Sequence, residues 1–205
     1  MAKEEKRRKI REAAARLFAE KGFENTTTRD IAGAAGINNA ALYYYFDNKE
    51  QLLYQILEEV IRTALEKITE IEQRPRPLQE KLALILRIHT RTAVDFDKMK
   101  LLVHEQRSLS PEHRQELKER QRLYVSRLIG VLGQLRDRGE MLDLDLTVCA
   151  YAFFGMVSWA YRWYRPDGKV KLEELSEIFY TIFTRGIYRE QGPGTKKATK
   201  KLKKY

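Results

Sequence analysis

The side chains able to do covalent or acid–base chemistry are few and scattered. The 205-residue chain holds three histidines, His89, His104 and His113, and one cysteine, Cys149. No two of these stand at a metal-ligand spacing, so no metal site is expected. No serine–histidine–aspartate context, glycine-rich phosphate loop or paired carboxylate constellation stands out, and no enzyme is expected. The chemistry on offer is hydrogen bonding to a polyanion, concentrated in residues 26–53, TTTRDIAGAAGINNAALYYYFDNKEQLL. An asparagine amide pairs with both N6 and N7 of adenine. Threonine and tyrosine hydroxyls, a lysine such as Lys49 and helix N-termini suit phosphate oxygens.

Local signals define the elements that would hold these groups. Thr27 to Asp30 forms a capping box, with the threonine oxygen taking an orphan N–H and the aspartate reaching back. The helix it opens carries Ile31, Ala34 and Ala35 on one face and ends at Gly36, where a residue without Cβ turns the chain. Asn38 or Asn39 caps a second helix that Leu42 and Phe46 pin inward, leaving Asn39, Ala40, Tyr43 and Tyr44 outward. Asn48 caps a third, with Gln51 at its third position. The competing reading is a packing unit whose asparagines are only caps and whose tyrosines are only core. The pattern taken jointly favours a helix-turn-helix reader of DNA.

Ile31-Ala32 to Gly36-Ile37, Leu42-Tyr43-Tyr44-Tyr45-Phe46, and Asn48-Lys49-Glu50 to Leu52-Leu53 resemble the TetR/AcrR family. So does the helix ahead, with Ile10, Ala13, Ala14, Leu17, Phe18 and Gly22-Phe23. The resemblance covers about residues 5–65. It implies DNA contacts from Thr28 and Arg29, from Asn38, Asn39, Ala40, Tyr43 and Tyr45, and from Lys49. Position 45, often histidine in the family, is tyrosine, which also donates to phosphate.

The rest of the chain shows helical periodicity and no strand signal, so the expected fold is all-α with about nine helices. Helices are expected over 49–73, 78–95, 98–108, 111–138, 144–164 and 172–188. Arg74-Pro75-Arg76-Pro77 and Arg165-Pro166-Asp167-Gly168 break them. The expected domains are 1–48 for DNA binding, 49–190 for ligand binding and dimerisation, and a basic tail, 191–205. That tail holds six lysines (Lys196, Lys197, Lys200, Lys201, Lys203, Lys204) and no acid, which is six of the net charge of +10. It is expected to be disordered and to add nonspecific phosphate affinity or only solubility. Lys3, Lys6, Arg7, Arg8 and Lys9 make a second basic patch, read as an arm for the DNA backbone. One cysteine excludes an internal disulfide, and Cys149 reads as a small buried hydrophobe. The N-terminus is charged and has no apolar run of the signal-peptide kind. The longest uncharged run, 146–161, is short of a membrane span. Together these point to a cytoplasmic protein.

The helix over 144–164 is apolar nearly all round, with Val148, Tyr151, Phe153, Phe154, Met156, Val157, Trp159 and Tyr161. Such a helix must be covered on every side, which one small domain cannot do alone. It is therefore expected to form a homodimer core, with Leu175, Ile178, Phe179, Ile182, Phe183 and Ile187 beside it. A dimer also suits DNA reading, because one helix-turn-helix reads only half of a palindromic operator.

A ligand cavity between helices is expected, since helical domains place their sites there. Tyr124, Phe153 and Trp159 are candidates to line it, against plain core packing. Arg87, Arg91, His104 and Arg107 are polar groups near apolar positions that could fix an anion, against salt-bridged surface roles, and His89, at core spacing with Leu82, Ile85 and Leu86, is a further ligand candidate. A second resemblance bears on the ligand. The segments over 104–112, 163–168 and 172–175, with Gly186-Ile187, are similar to a TetR subgroup that represses acyl-chain catabolism and releases DNA on binding an acyl-coenzyme A. The expected effector is thus an acyl-coenzyme A, with no resident cofactor. Two alternatives stand beside it: a multidrug-type repressor sensing lipophilic cations, whose pocket would carry acids among aromatics, and a nonspecific architectural DNA binder driven by basic termini.

Overall fold

The computed structural model describes residues 2–185 and is all-helical over that span. Nine α-helices run in order: α1 (Ala2–Lys21), α2 (Thr28–Ala34), α3 (Asn39–Tyr45), α4 (Lys49–Gln73), α5 (Leu78–Ala93), α6 (Phe96–His104), α7 (Pro111–Asp137), α8 (Leu146–Ser158) and α9 (Leu172–Arg185). Two 3-10 turns, Gln106–Ser108 and Trp159–Arg162, follow α6 and α8. The tail 191–205, Gly186 and Ile187 lie outside the described residues.

The punctuation acts where the sequence places it. Ser110 caps α7, taking the N–H of His113 at 3.2 Å, and Pro111 sits in the first turn, where its missing N–H leaves nothing unpaired. Gly139, at φ +70°, ends α7 with Glu140 N–H bonded to Leu135 O at 2.9 Å. Two expected helices are shorter than their patterns. The segment 98–108 becomes α6, starting at Phe96 behind the Asp95 cap, plus a 3-10 turn. The segment 144–164 becomes α8 from Leu146, capped by Asp145, and a 3-10 turn after Ser158. The expected arm is also absent as an arm: residues 3–9 are the first turns of α1, with Arg8 paired to Glu12 and Lys9 to Glu5.

Two apolar cores run along the molecule. The first joins α1, α2 and α3 to the first half of α4 and also takes in Leu101, Leu109 and Leu117. The second begins at Ile68 and gathers α5, the second half of α7, α8 and α9. Helix α4 therefore belongs to both, Ile56 and Leu57 in one and Ile68 in the other. The expectation that α8 is covered on every side is not met within one chain. Ala150, Phe153 and Val157 are buried, but Val148 is 67%, Tyr151 57% and Trp159 55% exposed. Ile178 and Ile182 of α9 are exposed as well, so the two helices present an apolar face that is uncovered among the described residues. Cys149 is half-buried against the second core.

Candidate functional site

The helix-turn-helix is built by caps. Thr27 Oγ1 takes Asp30 N–H at 3.1 Å, and Asp30 Oδ2 accepts from Thr27 N–H at 2.9 Å and from its hydroxyl at 2.7 Å. Those bonds hold the Asp30 carboxyl below its ordinary range. Gly36, at φ +68°, closes α2: Ile37 N–H reaches Ala32 O at 3.0 Å and Gly36 N–H reaches Gly33 O at 3.1 Å. The inward face of α2 is Ile31 and Ala32, whereas Ala34 is exposed and Ala35 only half-buried. In this seven-residue helix the buried positions are the adjacent pair at its middle, which a long-helix period assigns wrongly.

Asn38 is the cap of α3, its Oδ1 taking Ala41 N–H at 2.7 Å. Leu42 and Phe46 are buried. Ala40, Tyr43 and Tyr44 face outward. Tyr43 reaches across the turn, its hydroxyl 3.4 Å from Thr28 Oγ1, so two hydroxyls meet on one surface beside exposed Arg29. Asn39 is half-buried and its Oδ1 is enclosed without a hydrogen-bond partner, so pairing with a base requires the amide to turn outward. Tyr45 packs against the core, edge-on to Tyr44. Lys49 is engaged inside the protein, with Nζ 2.7 Å from Phe23 O and over the Phe23 ring. Lys3 lies over Tyr44 and Arg7 over Phe46, bringing α1 cations beside α3.

A clamp joins this unit to the rest of the chain. In the first turn of α4, Glu50 accepts from Ser110 N–H at 2.8 Å and meets His113 Nδ1 at 2.9 Å. The His113 ring stacks on Tyr54, whose hydroxyl bonds Glu116; burial first, and that carboxylate second, push the Tyr54 hydroxyl up to about 12. No periodic signal marks this clamp in the sequence, because its partners lie about sixty residues apart.

α4, α5, α6, α7 and α8 line a half-open cavity of about 570 Å³. Val60, Ile61 and Ala64 of α4 form one wall, Met99, Leu102 and Val103 of α6 another, and Tyr151 and Phe154 of α8 a third. His89 stands in it, between Tyr124 (Nδ1 to hydroxyl 3.2 Å) and Ser158 (Nε2 to hydroxyl 3.4 Å). Burial pushes its imidazole down to about 3 and raises the Tyr124 hydroxyl. At the rim, α7 contributes Lys118, Gln121, Arg122 and Val125, at the i, i+3, i+4, i+7 spacing of one helix face. Other α7 cations are engaged: Arg114 with the carbonyls of Gln106, Arg107 and Leu109, Arg120 with Glu58, Arg127 with Glu72. Lys118 and Arg122 form no ion pair among the described residues, and no Asp or Glu lines the cavity.

Of the candidate ligand residues, His89 and Tyr124 meet in this cavity. Phe153 lies behind it in the core, ringed by His89, Phe154 and Phe183. Arg87 and Arg91 point the other way and pair with Glu177 and Glu173 of α9. His104 lines a separate open cleft of about 500 Å³ against α1, its Nε2 2.8 Å from the Tyr161 hydroxyl. Arg107 is exposed, and Trp159 is exposed under the Arg162 guanidinium. Lys118 and Arg122 were missed, although the face they share with Gln121 and Val125 was visible in the spacing.

Comparison with known proteins places this geometry. Residues 10–56 match the family model of bacterial regulatory proteins of the tetR family, and residues 75–187 match that of the tetracyclin repressor-like C-terminal domain. The HTH-type transcriptional repressor KstR2 of Rhodococcus jostii is 31% identical over 193 residues, 89% of this chain and 91% of that protein. The fatty acid metabolism regulator protein of Bacillus subtilis is 27% identical, covering 88% of this chain and 95% of that one. AibR, solved in complex with isovaleryl coenzyme A and operator DNA, superposes with a TM-score of 0.77 at 29% identity, over 87% of this chain and 98% of that one.

Proposed function

The chain belongs to the TetR family of bacterial regulators, and from that premise we propose that it is a homodimeric repressor released from its operator by an acyl-coenzyme A. The observation that carries the effector class is the cavity: apolar walls and, among the described residues, two cations at the rim without an ion-pair partner and no lining carboxylate. Such a site favours an amphiphile with an apolar tail and a phosphate-bearing head, since cations without internal partners gain most from a phosphate. A lipophilic cation would meet Lys118 and Arg122 with no acid to offset them, which counts against multidrug sensing. The AibR complex and the fatty-acid regulator support the same class.

Residues Thr28, Arg29, Asn38, Asn39, Ala40 and Tyr43 are the proposed DNA surface, with Tyr45 and Lys49 holding it in place from within. The exposed apolar face of α8 and α9 is the proposed dimer seam, which sets two copies of α3 about one DNA turn, roughly 34 Å, apart. Helix α4 begins directly behind α3 and ends its first core where the cavity wall starts. From Lys49 to Val60–Ala64 is about 17–23 Å at 1.5 Å per residue. A ligand that favours a shifted α4 thereby spoils the spacing of the two readers, to the extent of its differential affinity for the two arrangements. Among the described residues no helix is long and apolar enough to cross a membrane, and we place the protein in the cytoplasm with its DNA.

The test is an operator-release titration with acyl-coenzyme A of increasing chain length. Release by at least one member is expected, weakened in the Lys118→Gln/Arg122→Gln variant. If no chain length loosens the operator complex, the effector assignment is wrong.

A further inference from the structure

His89 is a polar group where the surrounding chemistry is apolar. It lies among Phe153, Phe154 and Tyr124 in the cavity wall, 7% exposed, with a hydroxyl at each ring nitrogen. Desolvation keeps the ring neutral, so one nitrogen carries a hydrogen and the other a lone pair. That arithmetic constrains the two hydroxyls. If Nε2 carries the hydrogen, it donates to Ser158 and Nδ1 accepts from Tyr124, which leaves the Ser158 O–H unspent. If Nδ1 carries it, it donates to Tyr124 and Nε2 accepts from Ser158, which leaves the Tyr124 O–H unspent. In both tautomers one hydroxyl hydrogen remains, on a residue that lines the cavity. Thr92, also in the lining, adds no donor, since its hydroxyl donates to Ile88 O at 3.0 Å.

We infer that Tyr124, His89 and Ser158 form a carbonyl-reading subsite, which donates one O–H to an acceptor oxygen on the buried part of the ligand. Because the imidazole can exchange tautomers, the free donor can appear at either end of the triad. Two ligand registers are thereby served by the same three residues. The subsite favours a thioester or ketone carbonyl over an alkyl chain of equal size, because a methylene there leaves a desolvated hydroxyl unpaired. The inference rests on the acyl-coenzyme A reading for the identity of the ligand, where the carbonyl is that of the thioester. It does not rest on it for the chemistry.

The experiment compares octanoyl-coenzyme A with S-octyl-coenzyme A, the thioether without the carbonyl. Binding is measured calorimetrically to the wild type and to His89→Phe/Tyr124→Phe/Ser158→Ala, an apolar replacement of similar shape. The wild type is expected to prefer the thioester by about threefold to tenfold, the range of one neutral hydrogen bond, and the variant to lose that preference. An equal preference in both proteins overturns the inference. If the variant does not fold, the carbonyl stretch of carbon-13-labelled octanoyl-coenzyme A on the wild type decides: a shift to lower frequency than in an apolar solvent is expected, and no shift overturns it. If neither coenzyme A derivative binds the wild type, the acyl-coenzyme A reading fails. The subsite is then judged by acetophenone against ethylbenzene in thermal shift. Greater stabilisation by the ketone upholds it, and equal or no stabilisation overturns it.

Discussion

His89 links the cavity to acid stability in a way that can be measured without any ligand. Burial holds its imidazole down at about 3, against 6.5 when the chain is unfolded. Between those values the unfolded chain binds a proton that the folded chain refuses, so stability rises with pH across the window and falls as the solution is acidified. The contribution is fully present above 6.5 and lost progressively toward 3. Each pH unit well inside the window is worth about 1.4 kcal/mol. Integrated from pH 7.5 to 5.0, the loss due to His89 alone is about 2 kcal/mol. His89→Gln cannot titrate yet keeps hydrogen bonding for Tyr124 and Ser158. Urea unfolding of the wild type and this variant at the two pH values isolates the effect, because every other residue of the chain is the same in both. The wild type is expected to lose about 2 kcal/mol more than the variant. Equal losses would refute the reasoning, by showing that the folded imidazole takes up its proton as readily as the unfolded one.

Three further outcomes follow from the geometry. Gly36→Ala forces a Cβ onto a residue at φ +68° and is expected to cost about 1 kcal/mol, a fall of roughly 2–4 °C in melting temperature, although nothing crowds the position. Ile178→Glu/Ile182→Glu places charge on the uncovered α8–α9 face; the expected result is a monomer in sedimentation that retains helical content but no longer holds a palindromic operator. Asn39→Ala is expected to cost about 1–3 kcal/mol at an A·T pair and to relax preference there. Arg29→Ala should instead weaken all sequences alike and lower the salt slope by about one; footprint and salt titrations separate the two, and identical behaviour of the variants would remove Asn39 from base reading.

Much of the DNA-reading unit was legible because its signals are local. Thr27 with Asp30, Gly36, Asn38 with Ala41, and Asn48 with Gln51 are contacts over a few residues, fixed by backbone groups that need partners at helix ends. Helix ends set by packing were less legible. Helix α8 stops at Ser158 although the apolar run continues, because the following residues tighten into a 3-10 turn against the core. The packing of Tyr45 against the core and the bond from Lys49 to Phe23 O also escaped the spacing, because residue type alone does not show which neighbours in space a side chain meets.

By itself the sequence determined the class of fold, the helix-turn-helix with its caps, and the need of an apolar α8 for a second surface. These follow from periodicity and from backbone groups satisfied within a turn or two. Tertiary structure alone decided which cations face the cavity. Arg87, Arg91, Lys118 and Arg122 are alike as residues, but α9 brings Glu177 and Glu173 to the first two, while no described carboxylate reaches the second two. It also set His89 between Tyr124 and Ser158, 35 and 69 residues away in the chain. Charge pairing and desolvation depend on neighbours in space, and five helices must pack before those neighbours exist.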